Sequence, residues 1–313
     1  MRNRYRMFAQ ALVLAGAVAA APLAAAQDWT TYYTVVNAKD FEIDWGKFYR
    51  TAEAKTMEVR KELRNQLDVP YGNDPKQRLD LYFPAKQAGK APVLVFLHGG
   101  GFREGDRKQY GYVAEPFAQH GILTVVASYR LTPAFSHPAQ PEDAKAIVAW
   151  VYQNIAKHGG DPNAIYVSGH SAGAILTADI GVDLAWMDQM KVPRAALRGI
   201  VPISGSYDLR GAKRKEYLPT PEDEARASAL LHVNAPAPVA IVAYGSKEDR
   251  LKDPSAALVK AIQAKGSQAQ ALMLDGKDHA GAVWELSDAD SALTKAMLAM
   301  IEHRGSGKAP TAR

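Results

Sequence analysis

Ile165-Tyr166-Val167-Ser168-Gly169-His170-Ser171-Ala172-Gly173 decides how this chain is read. Three residues suited to a buried strand run into G-x-S-x-G, and an Ala-rich stretch that suits a helix follows at once. A serine between a strand and a helix with glycines two residues to either side marks a very tight, strained turn. A Cβ at either glycine would meet neighbouring backbone, and the serine is left at a helix N-terminus, where partial positive charge favours a developing anion. Ser171 is thus a candidate nucleophile. A chance G-x-S-x-G has no reason to be flanked by a strand on one side and a helix on the other.

Outward from this turn the pattern repeats. Val93-Leu94-Val95-Phe96-Leu97 is a continuous apolar run, and so are the stretches 122–127, 200–203, 239–243 and 271–274. Short continuous runs suit strands buried on both faces, as in a parallel sheet. Between them lie helical stretches at 141–158, 172–187, 254–265 and 288–303. Strand and helix in alternation predict an α/β fold with one mostly parallel, doubly wound sheet and helices on both faces. Upstream, 78–83 alternates as a half-buried strand does. Residues 38–67 read as helix, with Phe41, Trp45, Phe48 and Tyr49 spaced by three and four. Such an aromatic stripe is more often a packing face than a functional surface.

Directly after the strand 93–97 comes His98-Gly99-Gly100-Gly101-Phe102. Consecutive glycines let bare N–H groups face a substrate oxygen, which suits an oxyanion hole. A merely flexible loop would not account for its place one strand–helix–strand unit before the serine strand. Gly100, Gly101 and the N–H of Ala172 are the candidate donors.

These segments resemble the α/β-hydrolase superfamily, and within it the hormone-sensitive-lipase-like carboxylesterases and the kynurenine formamidase-like esterases. The resemblance runs from about Val69 onward. Besides the two glycine motifs it rests on Tyr71-Gly72-Asn73-Asp74 with Leu79-Asp80-Leu81-Tyr82, on Tyr129-Arg130-Leu131-Thr132-Pro133 with Glu142-Asp143, and on Gly159-Gly160-Asp161-Pro162. It implies hydrolysis of small-molecule carboxylic esters without a cofactor, and an N-terminal helical segment over the site, for which 38–67 is the candidate. His98-Gly99-Gly100-Gly101 looks like the lipase-type loop more than the His-Gly-Gly-Tyr-Trp loop of kynurenine formamidases.

In that fold the chain order is serine, acid, histidine. Of the eight His, only His232, His279 and His303 follow Ser171. His232 precedes the strand 239–243, too early for this order, and His303 lies at the end of the last helix. His279, after the strand 271–274, is the candidate base. The acid should follow the strand 239–244, where Glu248 and Asp249 compete. A Gly-x-x-acid spacing from Gly245 favours Glu248, a shift of one residue favours Asp249, and Asp208 is a weaker third choice. The resemblance leads one to expect Asp where Glu248 stands. An aryl-formamidase or amidase on the same scaffold is the alternative activity. A non-catalytic binding protein on this fold would more often lack the nucleophile or the glycine loop, and both are intact here.

Arg2, Arg4 and Arg6 precede the apolar run 7–21, with small residues at Ala24 and Ala26, so residues 1–26 read as a secretory signal segment cleaved before Gln27. The run is short for a membrane span, and no stable span is expected after its removal. Residues 27–313 read as one domain, exported to the periplasm or secreted. The chain has no Cys, which excludes disulfides, cysteine nucleophiles and Cys-ligated metals. No His spacing suggests a metal site, so no metal or cofactor is expected. The formal charge of +5 falls to +2 without the three Arg of the signal segment. Arg210, Lys213, Arg214 and Lys215 cluster, but Glu222, Asp223 and Glu224 follow closely. This reads as a solvated loop, and no nucleic-acid partner is expected.

Overall fold

The computed structural model describes residues 43–86 and 89–303. The signal segment and the start of the predicted 38–67 helix, including Phe41, lie outside the described residues.

The continuous apolar runs form the middle of an eight-stranded sheet. Its strands are β1 (Asn65–Pro70), β2 (Arg78–Tyr82), β3 (Ala91–Leu97), β4 (Leu123–Ala127), β5 (Gly160–His170), β6 (Leu197–Ile203), β7 (Val239–Gly245) and β8 (Ala269–Leu274). Their order across the sheet is β1-β2-β4-β3-β5-β6-β7-β8. β2 pairs antiparallel with β1 and β4, and the neighbours from β4 through β8 pair in parallel. This is the α/β-hydrolase arrangement expected from the resemblance.

The helices follow from what the strands leave to be covered. Along β3, Val93, Val95 and Leu97 face one side and Leu94 and Phe96 the other, as the two-residue strand period requires. The first side packs against α3 (Ala139–Asn154), α4 (Ala172–Val182) and α7 (Asp249–Gln263), through residues such as Ile147, Leu176 and Leu258. The second packs against α1 (Trp45–Glu62), α2 (Ala114–Gln119), α8 (His279–Trp284) and α9 (Ala292–Glu302), through Phe48, Phe117, Trp284 and Met297. Each fully buried side chain of this size stabilises by about 1.5–3 kcal/mol. Two short helices, α5 (Ala185–Gln189) and α6 (Pro221–Arg226), lie on the connections around β6. Among the described residues no helix is long and apolar enough to cross a membrane.

Three predicted boundaries shift, each for a local reason. The 38–67 helix ends at Glu62, because Asn65 bends back and its Nδ2 donates to the carbonyls of Arg60 and Leu63 at 2.9 and 2.8 Å. The chain then extends into the edge strand β1, which the helical reading had absorbed. The 172–187 helix is two, α4 and α5, since Asp183 is extended and its carboxylate accepts from the N–H of Ala185 at 3.1 Å. Pro254 does not open its helix but sits inside α7, which starts at Asp249, right after the acid loop.

Two buried carboxylates explain motifs quoted above. Asp143 accepts from the backbone N–H of Arg130 (2.8 Å), from the Arg130 guanidinium (2.7 Å) and from Gln77 (2.7 Å), so it ties α3 to the segment after β4. Asp80, on β2, accepts from Arg60 at 2.7 Å and from Arg107 at 2.9 Å. Arg107 also contacts the Asp68 carboxylate. Removing one member of such a set leaves an uncompensated buried charge, which costs about 3–5 kcal/mol. Both sets brace the loops that follow β3 and β4, next to the site.

Candidate active site

The serine turn has the strain its sequence implies. β5 ends at His170, α4 starts at Ala172, and Ser171 between them takes φ 55° and ψ −111°. Its N–H donates to the Ile203 carbonyl at 2.9 Å. A Cβ on Gly169 would lie 2.5 Å from the Gly173 carbonyl oxygen, and one on Gly173 would lie 2.1 Å from that of Leu97. Both are far inside contact distance, so the turn admits only glycine at these places.

Three loops at neighbouring strand ends deliver the rest. Ser171 Oγ lies 2.9 Å from His279 Nε2, and His279 Nδ1 lies 2.5 Å from Glu248 Oε1. A carboxylate can only accept, so Nδ1 carries the proton and Nε2 is left to accept from the serine hydroxyl. His279 opens the short helix α8, whose N-cap Asp278 accepts from the Gly281 N–H at 2.7 Å. The sequence pattern showed a loop there and missed this helix. The other oxygen of Glu248 accepts from Ser204 Oγ at 2.5 Å and from the Gly245 N–H at 2.8 Å. Burial pushes the Glu248 carboxyl up, but the bonds from His279, Ser204 and Gly245 outweigh it and hold the group below the usual carboxylate range. Glu248 is therefore an anion at neutral pH.

The structure does not bring Asp249 to His279. Asp249 is the first residue of α7 and is exposed, because the turn that aims Glu248 inward sends the next side chain out. Asp208 is also away from the histidine, paired with Arg210 at 2.7 Å. Of the rival acids only Glu248 is in place.

The glycine loop stands across from the serine. Gly100 has φ +117°, and a Cβ there would lie 2.2 Å from the Glu104 carbonyl oxygen. Gly100 and Gly101 line a cavity of about 580 Å³ together with Ser171, His279, Trp45 and Tyr49. Ala172, the first residue of α4, has one of the N–H groups that a helix start leaves without an intrahelical partner. The arrangement offers a hydroxyl, a base that can take its proton, an anion that supports the base, and glycine backbone where an oxyanion would form. Among the described residues no group of three or more His, Asp or Glu is placed to hold a metal ion.

The candidate segment over the site does reach it, through two residues of its aromatic stripe. Trp45 and Tyr49 were read as a packing face. Phe48 is fully buried and Trp45 and Tyr49 pack against the same core, while the Trp45 ring also lies edge-on to the His279 ring at 5.8 Å and Tyr49 joins the cavity wall. Trp45 and Tyr49 stand only about 60° and 100° around the helix from Phe48, at the edge of its buried face, which was the available signal. Ser204, with φ 55° at the end of β6, gave no signal, because its partner Glu248 is 44 residues away.

Two buried histidines flank the site. His170 Nε2 bonds to the backbone carbonyl of His279 at 2.8 Å, and His98 Nδ1 bonds to the Gly99 carbonyl at 2.7 Å, with its ring stacked on Tyr129 at 4.3 Å. Burial pushes the His98 imidazole down from 6.5 to about 4, and burial with the nearby His279 holds His170 well below the usual range. Both are neutral in the folded protein at neutral pH. Unfolding restores their ordinary values, so the unfolded chain binds more protons below about pH 6.5. Their contribution to stability is therefore complete above about pH 6.5 and is lost as pH falls from there towards 4. Denaturant unfolding between about pH 8 and pH 4 checks this. The expected result is a decline starting near pH 6.5, attenuated in His98→Gln, whereas identical declines in both proteins would contradict it.

A family model, BD-FAE, matches residues 79–252, from β2 through the acid loop. The Oryza sativa subsp. japonica protein named "Probable isoprenylcysteine alpha-carbonyl methylesterase ICMEL1" is 32% identical over 67% of this chain and 56% of its own length. Kynurenine formamidase of Danio rerio is 25% identical over 79% of this chain and 85% of its own length. The chain spans about half the length of the methylesterase relatives it matches. Among solved structures, the carboxylesterase EstE1 from a metagenomic library superposes with a TM-score of 0.66 at 23% identity, over 84% of this chain and 97% of that one.

Proposed function

Since the chain belongs to the BD-FAE family, we propose that it is a serine carboxylesterase acting on short-to-medium acyl esters. The observation that carries this is the hydrogen-bonded line from Ser171 Oγ through His279 to Glu248, at 2.9 and 2.5 Å. His279 takes the serine proton as Oγ attacks the ester carbonyl. Glu248 keeps the imidazole in the accepting tautomer and stabilises its cation. The N–H groups of Gly100, Gly101 and Ala172 hold the oxyanion. The alcohol leaves with the proton from His279, and a water activated by the same imidazole then releases the acid from the acyl-enzyme. Trp45 and Tyr49 from α1 wall the cavity and limit acyl length. We also propose export, on the strength of Arg2, Arg4, Arg6 and the apolar run 7–21 before Ala26.

A second reading, hydrolysis of aryl formamides by the same residues, is favoured by the kynurenine formamidase relative, which matches most of both chains. Turnover of p-nitrophenyl esters from acetate to long-chain acyl, alongside N-formyl anilides, separates the two. Rates that fall with acyl length and exceed those on formamides support the esterase. Formamide turnover with inert esters transfers the assignment to the second reading.

A further inference from the structure

A second cavity of about 490 Å³ adjoins the first and shares Gly101, Arg103 and Arg214 with it. Its wall is the turn Lys213-Arg214-Lys215-Glu216, most of the basic cluster that the sequence pattern presents as a solvated loop. Arg250, near the start of α7, lines the first cavity. Glu216 pairs with Arg103 at 3.2 Å, and Glu104 is the other carboxylate of these walls. Arg250 aside, four cations (Arg103, Lys213, Arg214 and Lys215) to two carboxylates leave the two walls net positive.

The turn is fixed rather than loose. Tyr217, just after it, is buried and stacks on Phe102 of the glycine loop, with ring centroids 3.8 Å apart. The Tyr217 carbonyl accepts from the His137 N–H at 2.9 Å, and the N–H groups of Tyr217 and Leu218 close the turn onto the Arg214 carbonyl at 3.0 and 2.8 Å. A run of charges on a solvated face would point away from the reacting atoms. The side chains of Lys213, Arg214 and Lys215 are exposed, but the turn that carries them is held against the loop that contains Gly101, so their charge stays at the rim of the cavity, where it acts on an approaching substrate.

We infer that the site selects esters carrying a carboxylate on one of their halves, with Lys213, Arg214 and Lys215 as the determinants of that selectivity. The inference rests on the esterase reading. Two pairs of substrates place the charge on opposite sides of the scissile bond: 4-acetoxybenzoate against methyl 4-acetoxybenzoate, and monoethyl adipate against ethyl hexanoate. The quantity measured is the anion-to-neutral ratio of kcat/KM in the wild type and in a triple variant, Lys213→Gln with Arg214→Gln and Lys215→Gln. In at least one pair, which identifies the half that carries the charge, the ratio is expected to fall about tenfold in the variant. In the wild type it is expected to shrink as salt is raised to about 0.5 M, where screening acts within a few ångströms. This second measurement stands even if the variant folds poorly. Neutral esters hydrolysed with ratios that neither salt nor the variant changes would overturn the inference and leave the esterase standing. A folded wild type inert to all four esters would overturn the esterase reading and this inference with it.

Discussion

Ser171→Ala is expected to lower kcat on p-nitrophenyl acetate by about 10⁶-fold, with little change in fold. The deleted atom is the one that would form the acyl bond. His279 and Glu248 remain paired, so the glycine loop and the base still act on any bound ester, and a residual rate of about 10³–10⁴ over water is expected from them. The backbone of residue 171 stays in its left-handed conformation, held by the bond from its N–H to Ile203 and by the close packing at Gly169 and Gly173. Unfolding free energy should therefore move by less than about 1 kcal/mol. Steady-state kinetics and labelling by a fluorophosphonate, read by mass, test this together. The wild type should gain one phosphonyl group on the peptide containing Ser171, and the variant none. A variant that keeps more than about a hundredth of the rate would exclude the acyl-enzyme route.

Glu248→Gln is expected to lower kcat by about 10⁴-fold, and Asp249→Asn to change it by less than about twofold. A carboxylate at 248 can only accept, which fixes the proton on His279 Nδ1. An amide can instead donate, which favours the tautomer whose Nε2 carries a proton and cannot take one from Ser171. Glu248 is nearly fully buried with three hydrogen-bond donors on its two oxygens, whereas Asp249 points to solvent one residue later. The comparison is internally controlled, since the two substitutions remove the same charge from adjacent positions. Equal losses in both variants, in kcat measured at saturating ester, would contradict the assignment of the acid to Glu248.

That pair also marks the limit of what could be read before the fold was seen. Ser171 and His279 could be nominated because one has a motif dictated by local sterics and the other follows from the chain order of the fold the segments resemble, and the structure sets them 2.9 Å apart. Gly100 and Gly101 could be nominated from their place after β3, and the structure sets them in the same cavity wall as Ser171. Glu248 and Asp249 could not be separated on local grounds. The choice is made by the Gly245 N–H beneath the turn and by Ser204 on the adjoining strand, a relation between residues far apart in sequence. Trp45 and Tyr49 do pack and the 213–215 turn is exposed, as read, but that both also border the cavity is again a relation between distant residues. An amphipathic helix or a charge run shows which side faces water, but not which neighbour stands beside that water. The sheet was legible where strands are buried on both faces. It was missed at β1, an edge strand whose polar residues continue a helical composition past the point where Asn65 turns the chain.

The bond from His170 to the carbonyl of His279 has a consequence of a mechanical kind. His170 grips the backbone of His279, while the Ser171 N–H grips the end of β6. The gap between Ser171 and His279 is thus gauged by backbone ties, one from the end of β5 to the start of α8 after β8 and one from Ser171 to the end of the adjacent β6, rather than by the two side chains alone. A slip of one residue in the register of β5 or β6 would move these ends by about 3.3 Å, more than the whole length of the serine–histidine hydrogen bond. A chain with these strands out of register would therefore not bring Ser171 and His279 within hydrogen-bond reach of each other.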